Sequence, residues 1–349
     1  MQRKWSIVLA LLAGSWYFGP AAPLADRSVG AEEKAAAQGE KAKSDKDAKK
    51  PDAIFLRVVR DAKKVPMTLD TSIVRYVGTK GAFAGVTVDL IGAVHIGEKS
   101  YYQKLNEQFT KYESLLYELV APKGTKIPKG GRGGSGHPVG MLQEGMTEVL
   151  GLAYQLEEID YTQKNFVHAD MTPKQFDAKM EERGESWWSM FFKMMGHSMA
   201  VQAGRTDSPE FELLGAMFAS NRELAMKRAL AKQFESMEAM MGAFEGQEGS
   251  TIITERNKAA LAVMKDQVAA GKKTLGIFYG AGHLPDMDRR LREEFGLERK
   301  QVDWVVAWDM RDAEQKAVAA KQARPKAAEK AHEKKDEASK QADKKDQAK

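Results

Sequence analysis

Two apolar runs in this chain stop at the same kind of turn. "VTVDLIGAVH" (Val86 to His95) and "TLGIFYGAGH" (Thr274 to His283) each read as a strand that ends in Gly-x-x-His. A strand that is apolar at nearly every position must be covered on both faces, which points to a largely parallel sheet with helices on each side. The neighbouring segments agree. Tyr101, Leu105 and Phe109 recur at i, i+4 and i+8, which predicts a helix over Glu98 to Phe109. "ESLLYELVAP" reads as a strand closed by a proline. "NFVHADMTP" reads as a short strand followed by a helix start, with Thr172 as N-cap and Pro173 at the first helical position. A helix over Thr251 to Gly271, a strand "TLGIFYG", a helix from Pro285 to Phe295 and a strand "QVDWVVAWDM" complete the pattern. The expected fold is α/β: a mostly parallel core sheet with flanking helices, and a largely helical insertion, about 139–250, between the two Gly-x-x-His halves.

The ends of the chain differ from its middle. Residues 1–52 carry nine Lys/Arg against seven Asp/Glu, and residues 311–349 carry twelve against eight. With a total of +5, the stretch between them is left near −1. The folded part therefore has no basic excess, which argues against a nucleic-acid binder. Residues 1–25 have a basic start, an apolar run from Trp5 to Phe18 and small residues after it, the layout of a secretory signal peptide, with an uncleaved N-terminal anchor as the alternative. Residues 26–52 and 313–349 are Ala, Lys, Glu and Asp with little to bury, and read as a disordered linker and tail around a domain at 53–312. The chain has no cysteine, which excludes disulfides and thiolate metal sites. The expected location is exported, periplasmic or secreted.

Chemistry concentrates at strand ends. His95 and His283 sit where open α/β sheets gather their ligands, beyond the carboxyl ends of strands. A third Gly-x-x-His, ending at His137, lies inside a glycine run and carries no such context. Period two along "SLLYELV" places Glu118 among apolar neighbours, where a charge is costly unless it is paired or binds a cation. Two readings stay open. Glu118 pairs with a basic residue, for which Arg256 is a candidate, or Glu118 joins His95 and His283 as three metal ligands with a position left for water. The same trio is also equipped for acid–base work without metal.

The blocks "GAVHIGEKSYYQKLNEQFTKYESLLYEL", "TERNKAALAVM" and "GIFYGAGHLPDM", in that order, resemble the TraB/PrgY/GumN family and its animal relatives, the TIKI Wnt-inactivating proteases. That family pairs two Gly-x-x-His motifs with a Glu on the strand after the first and an Arg-Asn pair on the helix before the second. The resemblance spans Gly92 to His283 and implies functional roles for His95, Glu118, Arg256, Asn257 and His283. It also implies an α/β fold shared with erythromycin-esterase-like and haem-binding ChaN-like proteins and, for the TIKI branch, a peptidase activity dependent on a divalent metal (Mn, Co or Zn). Here Ala93 stands where the family often has Thr, and a Lys/Ala tail replaces the membrane-spanning C-terminus of some relatives.

The leading expectation is thus an exported metal-dependent hydrolase, a peptidase acting on a peptide or protein. His95, Glu118 and His283 would hold the metal, while Arg256 and Asn257 orient Glu118 or hold a substrate carboxylate or oxyanion. The alternatives are a binding protein of the same fold for haem, metal or a signal peptide, with Tyr101, Tyr102 and Tyr279 near the motifs, and an interaction protein whose histidines are structural turns. Three further features belong to the reading. His168 and Asp170 share a strand face, as a second metal pair or a hydrogen-bonded pair. Trp187 to Gln202, dense in Trp, Phe and Met, is a core or dimer helix or a peripheral membrane contact. The loop from Lys123 to Gly136 is a lid over the site or a solvent loop.

Overall fold

The computed structural model describes residues 54–130, 149–186, 209–244, 249–319 and 321. The signal-like start, the linker, most of the tail, Trp187 to Gln202 and the end of the Lys123 to Gly136 loop lie outside them.

Nine strands and seven α-helices are used below. The strands are β1 (Leu56–Arg60), β2 (Pro66–Gly78), β3 (Thr87–Ala93), β4 (Ile96–Gly97), β5 (Ser114–Tyr117), β6 (Ala153–Tyr154), β7 (Phe166–His168), β8 (Thr274–Gly280) and β9 (Leu297–Asp309). The helices are α1 (Lys99–Phe109), α2 (Gln155–Glu158), α3 (Pro173–Glu182), α4 (Pro209–Met217), α5 (Arg222–Phe244), α6 (Arg256–Ala269) and α7 (Leu284–Glu293). A seven-stranded sheet runs β1-β2-β3-β8-β5-β7, with β9 also paired to β2. The pairs β3·β8, β8·β5 and β5·β7 are parallel, whereas β2 is antiparallel to β1, β3 and β9. All strands of this sheet except β2 therefore point the same way, so the expected mostly parallel α/β core is present. A two-residue ribbon, β4 with β6, stands apart from it.

The sheet separates two cores. Tyr101, Leu105 and Phe109 of α1 pack on one face with Leu115, Phe278 and Trp308. Ala260, Leu261 and Met264 of α6 and Leu284, Met287 and Leu291 of α7 pack on the other with Leu90, Leu116 and Ile277. Double coverage explains why β3 and β8 read as continuous apolar runs rather than alternating ones. It also places a topological switch at the carboxyl ends of β3, β8 and β5. The chain leaves β3 through α1 on one face, and leaves β8 through α7 on the other.

Local signals set most element ends. Thr172 and Gln175 form a full capping box ahead of α3, with Pro173 at its start. The segment expected as one helix from Thr251 begins instead as a π-turn, Thr251–Glu255, and becomes α-helical at Arg256. The insertion is helical in α3, α4 and α5, but its first part holds β6, the single turn α2 and β7. Helical turns also continue over 313–319, past the expected boundary at 312. Among the described residues, no helix is long and apolar enough to cross a membrane.

Candidate functional site

The first motif is gripped by α1. The Tyr101 hydroxyl donates to the Gly92 carbonyl at 2.9 Å and also meets Thr71, and the Tyr102 hydroxyl donates to the Val94 carbonyl at 2.9 Å. Both tyrosines are fully buried, so these bonds hold the turn that carries His95. Beyond the turn, the Gln155 amide donates to the His95 carbonyl at 2.9 Å, and the Gln155 side-chain oxygen lies 3.2 Å from His95 Nδ1. Gln155 is itself placed by its bond to the Tyr161 hydroxyl at 2.9 Å.

The second motif is held from α6. Asn257 Nδ2 donates to the His283 carbonyl at 3.0 Å and to Asp286 at 2.9 Å. Both of those partners only accept, so the amide oxygen must face His283, where Nδ1 lies 2.8 Å away. That oxygen accepts, hence Nδ1 carries the ring hydrogen and Nε2 presents a lone pair. Neither motif glycine is in the left-handed region: Gly280 has φ −49°, and Gly92 continues β3. Gly280 serves through its amide and its missing side chain. Its N–H donates to Glu118 Oε2 at 2.7 Å, and a Cβ there would lie 3.3 Å from that oxygen.

Glu118 lies just past β5 with its side chain 7 % exposed. The expected salt bridge exists: Arg256 Nη2 donates to Glu118 Oε1 at 2.7 Å. Arg256 is also forked onto Asp170, with Nε to Oδ1 at 3.0 Å and Nη2 to Oδ2 at 2.6 Å. Burial alone would raise the Glu118 carboxyl, but the charge of Arg256, the two histidines once protonated in acid, and the Gly280 N–H outweigh it and bring it down to about 2. Burial pushes His283 down to about 4 against the pull of Glu118. His95 is lowered for the same reason, although part of the residue reaches solvent. At neutral pH the centre therefore holds an ionised Glu118 beside two neutral imidazoles.

One contact in this centre joins two acceptors. His283 Nε2 lies 3.5 Å from Glu118 Oε1, with no proton to share between them. Two ligands at bond lengths near 2.1 Å on one tetrahedral cation would be about 3.4 Å apart. The donor pair thus fits one edge of a divalent-metal site, and the amide pinning of each Nδ1 is the outer support that metal-ligating histidines use. Among the described residues, however, no three His, Asp or Glu side chains form a ready-made metal site.

Several expectations change at this level. Arg256 and Asn257 are fully buried, Arg256 bonded to Glu118 and Asp170 and Asn257 to His283 and Asp286. His168 and Asp170 do not pair: His168 Nε2 lies 2.6 Å from the Leu119 carbonyl, while Asp170 turns to Arg256. The tyrosines offered as haem ligands are committed to backbone carbonyls, Tyr279 to that of Ala169, and all three are fully buried. Gln155 and Asp286 escape the sequence reading, which names Asp170 only as a partner of His168. Asp286 had a local signal, as an acid in the first turn of α7, but Gln155 and Asp170 meet their partners only through the fold. No family model, curated protein or solved structure matches this chain.

Proposed function

We propose that the chain is an exported metal-dependent hydrolase of the TraB/TIKI type, a peptidase in an erythromycin-esterase- or ChaN-like fold, acting on a peptide or protein. One observation carries the reading: a lone-pair nitrogen and an ionised carboxylate oxygen face each other at 3.5 Å in a buried centre at the sheet's switch point. Two acceptors this close favour a cation between them. His283 and Glu118 would hold it, with His95, whose Nδ1 is pinned in the same manner, as the third ligand. A bound Mn, Co or Zn ion would acidify a water and polarise the scissile carbonyl.

The chain's own residues divide the remaining work. A carboxyl near 2 is a poor proton acceptor at neutral pH, so Glu118 acts as ligand and fixed charge rather than as general base. Asn257 fixes the tautomer of His283, and Gln155 steadies His95. A second reading, a binding protein without turnover, draws support from Glu118, both of whose oxygens are already held by Arg256 and Gly280.

Elemental analysis beside cleavage of an unbiased peptide library separates the two. The parent should carry a divalent metal and cleave. His283→Ala should lose metal and cleavage together, and Glu118→Gln should lose most of both, because the amide keeps the shape and drops the charge. Metal without cleavage in the parent favours the binding protein. Parent-like metal content and cleavage in both variants would place the site elsewhere.

A further inference from the structure

Asp170 is a buried carboxylate beside the centre. Its side chain is fully buried, it follows the three-residue strand β7, and it accepts both Nε and Nη2 of a fully buried arginine. A guanidinium beside two carboxylates can present its fork to either one. Here the fork is on Asp170, and Glu118 receives only a single bond from Nη2. Had the fork gone to Glu118, both of its oxygens would face Arg256, and Oε1 would turn away from His283.

We propose that Asp170 is a positioning residue for the centre. By taking the fork of Arg256 it limits the arginine to one contact with Glu118, and so keeps Glu118 Oε1 beside His283 Nε2. It also sets the charge. Among the described residues, Glu118 and Asp170 against Arg256 sum to one negative charge in excess, facing two neutral imidazoles. A salt bridge between Glu118 and Arg256 alone would be neutral and would offer a cation little. The third member keeps the buried cluster attractive to a divalent cation while the arginine still holds Glu118 in place. Asp170 is assigned no contact with the cation or the substrate. This assignment rests in part on the metal-dependent reading above, and its test separates the two.

The test uses the purified full chain and the Asp170→Asn and Asp170→Glu variants. Crystal structures of the metal-free parent and Asp170→Asn are compared, and Mn and Zn affinities are measured by calorimetry. An Asn can accept from Arg256 with one atom only, so its fork should swing onto Glu118, with Oε1 drawn away from His283. Cation affinity should fall about 10- to 100-fold, the range for outer partners of metal sites. Asp170→Glu restores the charge and the second acceptor, and should recover part of that affinity despite its extra bulk. A merely structural role predicts the opposite order, with the larger Glu tolerated worse than Asn. An arginine that stays in place in Asp170→Asn overturns the assignment. So does an affinity that Asn leaves unchanged in a parent that binds the cation. If the parent binds neither ion, the metal-dependent reading fails, and the crystal structure of Asp170→Asn alone decides Asp170. A swung fork then supports the positioning role, and an unmoved one ends it.

Discussion

At the scale of the residue, the centre stores acid sensitivity. His283 titrates near 4 in the folded chain against 6.5 when free, because burial disfavours its charged form. Between those values the unfolded chain binds a proton that the folded chain does not, so stability falls as pH falls from 6.5 to 4. Glu118 extends the loss. Its folded value of about 2 lies below the ordinary 4.5, so the stability it contributes is present above 4.5 and lost as pH drops toward 2. At 1.36 kcal/mol per pH unit, the His283 contribution is at most about 3 kcal/mol. In chelator-treated protein, melting temperature against pH should decline through the 6.5 to 4 window. His283→Gln, which cannot take up the proton, should flatten that decline. An equal slope in parent and variant would assign the acid sensitivity to other groups.

At the scale of the element, the site depends on a turn that carries no functional side chain. Arg256 and Asn257 open α6 directly after the π-turn Thr251–Glu255. That turn is tied down from the end of α3 by Glu185, which accepts the Thr251 amide at 2.9 Å, and by Arg183, which donates to the Gly249 carbonyl at 2.6 Å. Gly249 has φ +69°, and a Cβ on it would fall 2.2 Å from Thr254 Oγ1. Gly249→Ala should therefore cost about 1–3 kcal/mol in backbone strain, together with the contact that has to yield. It should also displace Arg256 and Asn257, so that chemical denaturation and cation affinity worsen together. A variant with parental stability would show that the turn is softer than this geometry implies. This is also where the sequence stops being legible. The two strands ending at His95 and His283, the α1 stripe and the Thr172 cap are local patterns, and they form as read. The Glu118–Arg256 pair was one of two open readings, because a buried acid requires a partner without naming it. Asp170 joining Arg256 across 86 residues, and the π-turn inside an apolar helical period, have no local signature.

At the scale of the whole molecule, the sheet defines how much chain the fold needs. Phe55 belongs to the core on one face of the sheet and Leu56 to the core on the other, both nearly inaccessible, so the two cores need the chain from these residues onward. A chain trimmed to residues 53–321 should unfold cooperatively with a melting temperature close to that of a chain of residues 26–349, since the Lys/Ala-rich segments this removes have little apolar surface to bury. A chain begun at residue 57 should lose about 3 kcal/mol or more, the usual cost of deleting a large core side chain. A broad melt of the 53–321 chain would show that the ends carry structure of their own.

The pairing of β2 also fixes an order of events. This one opposed strand is held along its length by β9, from Thr68 against Asp309 to Gly78 against Leu297. Nascent chain emerging from a ribosome would expose that side of β2 until Leu297–Asp309 had been made. The longest ladder in the sheet thus closes last, and it joins segments more than two hundred residues apart in sequence. Loop closure over such a span is slow compared with local helix formation.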